Sequence, residues 1–180
     1  MSDPTPTAAS PAVADLLQRL HGSDDVVRAA AGQDAGPLGV AAVMPLMRSM
    51  ADPDREAARA AQRALWSVVH HAGRPGAKSD RAAVAARLAE ALESNTEPVA
   101  TRRELLWMLS AIGGNTAVDT VAARLNEMEL REDARCALQR IPGRRSLRAL
   151  KAALATAQDD FAAALADALR ARGETVRGRP

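Results

Sequence analysis

The sequence predicts an all-α protein, an α-α superhelix (solenoid) of about five helix pairs, and three observations support this. Apolar residues in the stretch 101–114 recur at i, i+3, i+4 and i+7, the spacing of one helix face. Similar stripes centre on Leu65, Leu109, Leu138 and Leu169, with a period of about 30 residues in the later copies. No strand-like alternation appears anywhere, and the apolar content is dominated by Ala and Leu, which favour close helix packing.

The helices are predicted to come in pairs, with a short stop between them. First helices centre on Leu46, Leu88, Val121 and Leu150, and the aligned leucines mark the second helices. In the last copy Arg172 replaces the terminal aliphatic residue, as expected where a stack ends against water. The predicted organisation is a disordered tail over 1–10, a repeat domain over 11–173 and a basic tail over 174–180.

Helix ends carry recognisable signals. Ser10 precedes Pro11 and is predicted to be the N-cap of the first helix. Ser23 is predicted to cap a short Ala-rich helix that Gly32 closes. Gly113 follows an apolar stripe and is predicted to end that helix in the left-handed conformation that glycine adopts without strain.

Composition predicts a cytoplasmic protein. Hydrophobic residues make up 47% and charged residues 26% of the chain, and the net charge of +2 is too small to require a polyanionic partner. Cys136 is the single cysteine and has no partner for an intrachain disulfide. Neither a signal peptide nor an apolar run long enough for a membrane span is visible, so no membrane association is expected.

The stretches 52–65 and 129–138 and the turn 112–114 resemble HEAT-like repeats of the armadillo-type class. The copies are similar to those of small bacterial HEAT-repeat proteins, and the resemblance covers roughly 11–173. It implies an interaction scaffold without a shared active site. It also implies an arginine early in the second helix that pairs with an aspartate in the turn within the repeat. Arg102 and Arg131 match that position, whereas Ala58 and Ala162 do not.

Residues suited to catalysis or to metal binding are sparse. The histidines are His21, His70 and His71, and adjacent histidines on a helix point about 100° apart, so they do not chelate a metal as a local pair. Cys136 has no base suggested by local spacing, and no glycine-rich phosphate loop is present. We therefore expect a non-enzymatic protein without a metal or cofactor.

The face opposite the core stripe of the second helices is the predicted binding surface. Second helices usually line the concave side of helical solenoids, and Trp and Arg are the side chains that most often dominate interfaces. The predicted protein-binding residues are Arg59, Arg63, Trp66, His70, Arg103, Trp107 and Gln139. The alternative is that one or both tryptophans fill the seam between adjacent second helices.

An arginine-rich repeat supports a second, weaker hypothesis. Such a cluster binds phosphate, and nucleic-acid binding is therefore an alternative, although the chain has few lysines and no aromatic ladder. The candidate anion-binding residues are Arg131, Arg135, Arg140, Arg144, Arg145 and Arg148. A third alternative, based on fold alone, is a lyase or accessory factor like the HEAT-repeat phycobilin lyases. The partner protein and the oligomeric state are not predicted.

Overall fold

A computed structural model describes residues 10–176, apart from the side chain of Asp159, and every regular element in that range is helical. Two short 3₁₀ turns, Gly36–Leu38 and Arg124–Asn126, lie between α-helices. The α-helices are α1 (Pro11–Leu20), α2 (Asp25–Asp34), α3 (Val40–Ser49), α4 (Arg55–Ala72), α5 (Lys78–Glu93), α6 (Val99–Ile112), α7 (Val118–Ala123), α8 (Arg131–Arg140), α9 (Arg144–Thr156) and α10 (Asp159–Ala171). The predicted all-α class is confirmed.

The first two helices begin where side chains accept from free backbone N–H groups. The Ser10 hydroxyl accepts from the backbone N–H of Val13, so the predicted N-cap is confirmed. The prediction for α2 was wrong at both ends. Asp24, rather than Ser23, is its N-cap, because its carboxylate accepts two backbone N–H groups at 2.8 and 3.2 Å. Gly32 lies inside the helix, which continues to Asp34.

The first compact unit extends to His71. In it α1 packs against α2 and α3, and the buried side chains are aliphatic. Gly36 packs closely against α4 at the turn after α2, because an added Cβ would lie 3.0 Å from the Cβ of His71. The Ser67 hydroxyl donates to the carbonyl of Gln33 at 3.1 Å and so joins α4 to the end of α2.

The second compact unit begins at Ala72 and contains three successive helix pairs. The pairs α5–α6, α7–α8 and α9–α10 form two layers, because α7 contacts both α5 and α9 while α8 contacts both α6 and α10. Leu105, Leu109, Leu138 and Leu169 lie in the core of this unit, as their helical stripes predict. A superhelix of HEAT-like pairs over the whole chain stays a prediction.

Two residues at helix ends in this unit, Gly113 and Arg172, differ from what the sequence predicts. Gly113 is extended, with φ −60° and ψ 152°, rather than left-handed. Glycine is needed there for space, because an added Cβ would lie 2.3 Å from the carbonyl oxygen of Leu109. Arg172 does not simply face water at the end of the stack. It is half-buried and donates to carbonyl oxygens at the end of α8, including that of Ile141 at 2.9 Å.

The predicted tails fall largely outside the described residues. Of the tail over 1–10 only Ser10 is described, and residues 177–180 of the C-terminal tail are not. Glu174, at the start of that tail, forms an ion pair with Lys151 at 2.7 Å. Among residues 10–176, no helix combines the length and the apolar character needed to cross a bilayer.

Candidate binding surfaces

The structure divides the predicted protein-binding residues between the two units. Arg63, Trp66 and His70 line one cleft in the first unit, while Arg103 and Trp107 lie on the outer side of α6 in the second. The cleft has a volume of about 610 Å³ and lies between α2 and α4. Its lining consists of Ala29, Gly32, Gln33, Gln62, Arg63, Trp66, Ser67 and His70. We call it the α2–α4 cleft.

Aromatic rings and one cation define the α4 side of the α2–α4 cleft. The rings of Trp66 and His70 are one turn apart on α4, with centroids separated by 5.4 Å and planes tilted by 37°. Arg63 is exposed and has no hydrogen bond or ion pair with any described residue. None of the lining residues is a carboxylate. The cleft therefore combines an apolar ring surface with an unneutralised positive charge.

Small residues define the α2 side of the same cleft. Ala29, Gly32 and Gln33 stand at i, i+3 and i+4 and so share one face of α2. This side could not be found by aligning the leucine stripes, because α2 was expected to end at Gly32. Arg59, by contrast, is not part of the lining. It pairs with Glu56 at 3.0 Å, and its side chain is 58% exposed.

On the second unit, Trp107 and Arg103 of α6 converge on Asp133 of α8. The indole Nε1 of Trp107 donates to Asp133 Oδ1 at 3.0 Å, and Arg103 Nε is 3.4 Å from Asp133 Oδ2. Arg103 also donates twice to the carbonyl oxygen of Glu129, at 2.9 and 3.1 Å. Trp107 remains 39% exposed, so its ring bridges the two helices and is also accessible at the surface. We call this area the α6–α8 surface.

Gln139, the remaining predicted protein-binding residue, is engaged within α8. Its side-chain oxygen accepts from Arg135 at 3.1 Å, and Arg135 also pairs with Glu132 at 2.9 Å. The Sγ of Cys136 lies 3.2 Å from Arg135 Nη2, and the thiol is half-buried. These contacts fix the side chains of Arg135 and Gln139 along the helix.

The arginines early in the second helices have partners other than the implied turn aspartate. Arg102 is buried and pairs with Glu127, the residue after the second 3₁₀ turn, and Arg124 pairs with the same carboxylate at 3.0 Å. Arg131 lies with its guanidinium carbon 4.8 Å from the ring centroid of Phe161 on α10, a cation–π contact. Both arginines are therefore occupied by internal contacts.

The arginine-rich repeat does not form one free basic surface. Arg145 binds Asp119 with two nitrogens, and Lys151 pairs with Glu174. Arg144 and Arg148 have no hydrogen bond or ion pair with a described residue. With Leu147, Lys151 and Glu174 they line a cleft of about 490 Å³ beside α9. Arg140 is exposed and likewise has no partner in the described part of the chain.

The histidines and acidic residues form no recognisable chemical site. His21 lies 3.5 Å from Asp52, and His70 stacks beside Trp66. Within residues 10–176 no group of three or more His, Cys, Asp or Glu side chains is arranged to hold a metal ion. The expectation of a protein without metal, cofactor or catalysis stays a prediction.

Comparison with known proteins adds little to this description. No family model matches the chain, and no curated protein matches its sequence. Among solved structures, an engineered protein determined by the Northeast Structural Genomics Consortium superposes with a TM-score of 0.47 and 17% identity. That superposition covers 88% of this chain and 77% of the engineered one.

Proposed function

We propose that the chain is a non-enzymatic protein-binding scaffold or adaptor, a superhelix of HEAT-like pairs that binds its partner through the concave face lined by its second helices. The observation that carries this proposal is the position of the two tryptophans. The largest fully buried side chains are leucines and methionines, whereas Trp66 is half-buried in a cleft and Trp107 is 39% exposed.

A partly exposed tryptophan keeps apolar surface in contact with water, and a binding partner can cover that surface. An aromatic side chain of this size removes about 150–250 Å² from water when it is buried, at about 25 cal/mol for each Å². In the isolated protein Trp66 and Trp107 are only partly buried, so part of this free energy of burial is not gained. A partner that covers Trp66 or Trp107 would recover it, and tryptophan is among the residues that most often dominate binding free energy.

Each tryptophan has an arginine beside it that suits the edge of an interface. Arg63 stands next to Trp66 in the α2–α4 cleft, and Arg103 stands next to Trp107 on the α6–α8 surface. Arg103 is anchored by the Glu129 carbonyl, so its side chain is already ordered before a partner arrives. Order of this kind lowers the entropic cost of association.

The test compares proteins retained from native lysate by the wild type and by Trp66→Ala, Trp107→Ala and the double variant. The matched control is Val40→Ala, which shortens an exposed apolar side chain on α3. A partner retained by the wild type and the control but lost with either tryptophan supports the proposal, provided that each variant stays folded at the assay temperature with unchanged helix content. Equal retention by all of the variants would refute it.

Anion binding is a second candidate, favoured by Arg144 and Arg148 alone. These two side chains are unpaired and line one cleft, where they could bind a phosphate group, although the Glu174 carboxylate, paired with Lys151, lines the same cleft. Internal pairing of Arg131, Arg135 and Arg145 leaves fewer free cations than the sequence pattern indicates. Nucleic-acid binding is therefore the weaker proposal.

A further inference from the structure

We propose that the α2–α4 cleft binds an acidic peptide segment of the partner, with one apolar side chain against Trp66 and a carboxylate on Arg63. This inference rests on the proposed function, because it assumes that the occupant is a protein. It adds the chemistry of the occupant, and it assigns recognition to the first unit.

Size and lining define what the cleft accepts. A volume of about 610 Å³ is in the range of sites that enclose a ligand or a few side chains. The Trp66 and His70 rings and Ala29 provide an apolar wall. Gln33 and Gln62 add side-chain amides, which can hydrogen-bond to a peptide backbone.

Charge decides which peptides fit. Arg63 is the cation at the cleft, and no described carboxylate neutralises it. The acidic residues near α2 are engaged elsewhere, since Asp34 pairs with Arg19 and Asp25 pairs with Arg28. A carboxylate brought in by a partner thus forms a new charge-assisted hydrogen bond without breaking an internal ion pair.

The space beside Gly32 in the α2–α4 cleft is large enough for a side chain, so a substitution there can fill the cleft without a clash. An added Cβ would meet no atom within 4 Å, and glycine inside a helix is less favourable than alanine. The Gly32 position points to the same side of α2 as Ala29 and Gln33, so a large side chain there would occupy the cleft. This provides a blocking variant, Gly32→Leu, that replaces a poor helix former with a good one.

The experiment uses the full chain with Trp107→Phe, so that Trp66 is the only tryptophan and its fluorescence reports on the cleft. The probes are short capped peptides with a central leucine flanked by glutamates, by glutamines or by lysines. We expect saturable binding of the glutamate peptide with a shift of the Trp66 emission. The glutamine peptide should bind about tenfold more weakly, and the lysine peptide should not bind.

Three variants then locate the site. Gly32→Leu should abolish the fluorescence response without lowering the melting temperature. Arg63→Glu should weaken binding about tenfold or more. Arg55→Glu is the matched control, because it makes the same charge change at an exposed position of α4 outside the cleft lining and should bind almost as the wild type does.

Several outcomes would overturn the inference. They are absence of binding to the wild-type cleft, equal binding of the glutamate and lysine peptides, and binding that survives Gly32→Leu. Failure of the inference is distinguishable from failure of the proposed function. If a lysate partner is lost with Trp107→Ala but retained by Gly32→Leu, the scaffold proposal stands and the cleft is not the site. If no partner depends on either tryptophan, both proposals fail.

Discussion

The indole N–H of Trp107 donates to the carboxylate of Asp133 at 3.0 Å, across the contact between α6 and α8. Asp133 is also 3.4 Å from Arg103, so one carboxylate orients both side chains of the predicted binding pair. The indole N–H of Trp107 bonds to α8 while 39% of the residue stays exposed, so Trp107 contacts both helices and is accessible at the surface. A role of this ring in a binding groove stays a prediction.

This relationship predicts a measurable coupling between Trp107 and Asp133. Trp107→Phe keeps the ring but removes the donor, and we expect a loss of about 1 kcal/mol in the free energy of unfolding. In a double-mutant cycle with Asp133→Ala, measured by urea denaturation, the two changes should couple by about 0.5–1 kcal/mol. Additive effects of the two substitutions would show that the hydrogen bond contributes nothing to stability.

A second prediction concerns Arg172, which caps the end of α8. One nitrogen donates to the carbonyls of Leu138, Gln139 and Ile141, and the other donates to that of Gly143. Arg172→Met keeps the aliphatic stem but removes the donor to the Leu138 and Gln139 carbonyls, whereas the Ser146 hydroxyl stays within hydrogen-bond distance of those of Ile141 and Gly143. We expect a loss of about 2 kcal/mol in the free energy of unfolding, measured by urea denaturation.

The matched control for Arg172 is Arg170→Met, since Arg170 is exposed and pairs with Asp167 within α10. That exposed pair should contribute less than about 0.5 kcal/mol. Similar losses for both variants would contradict the assigned capping role. Arg172→Lys should fall between the two, because a single ammonium cannot span the carbonyls of both Ile141 and Gly143 as the guanidinium does.

The sequence predicted the helices and their buried sides because apolar periodicity depends on local spacing. Leu105 and Leu109, four residues apart, are buried as expected. The reason for a particular residue at a helix end, in contrast, depends on contacts with distant parts of the chain. Gly113 has to be glycine because the Leu109 carbonyl and the Ile141 side chain leave no room for a Cβ. No local pattern contains that information.

The candidate sites were predicted in part for the same reason. Arg63, Trp66 and His70 share one face of α4, so the sequence of that helix alone predicts that they lie together. Their partners across the cleft lie on α2, which the expected stop at Gly32 had shortened. The sequence suggests more free cations in the arginine-rich repeat than the structure has. Counting arginines cannot show that Asp119 pairs with Arg145 or that the Phe161 ring contacts Arg131.

A third prediction separates free arginines from engaged ones. Of the arginine-rich set, Arg140, Arg144 and Arg148 are unpaired in the described part of the chain. If generic duplex DNA binds at all, the slope of log K against log salt should be no steeper than about −3, at about −0.9 per phosphate contact. A fluorescence-anisotropy titration measures this slope. A slope near −5 would mean that all six candidates reach phosphates and that their internal pairs break on binding.

The last prediction concerns two glycines of the first unit with opposite environments. At Gly32 an added methyl group meets open space within a helix, so Gly32→Ala should stabilise the protein by about 0.5–1 kcal/mol. At Gly36 the same methyl group would lie 3.0 Å from the Cβ of His71 and 3.3 Å from its Cγ. Because Gly36 is buried, α4 would have to move, and Gly36→Ala should destabilise by about 1–3 kcal/mol. Urea denaturation of the two variants measures both effects, and changes of the same sign would refute the packing of Gly36 against α4.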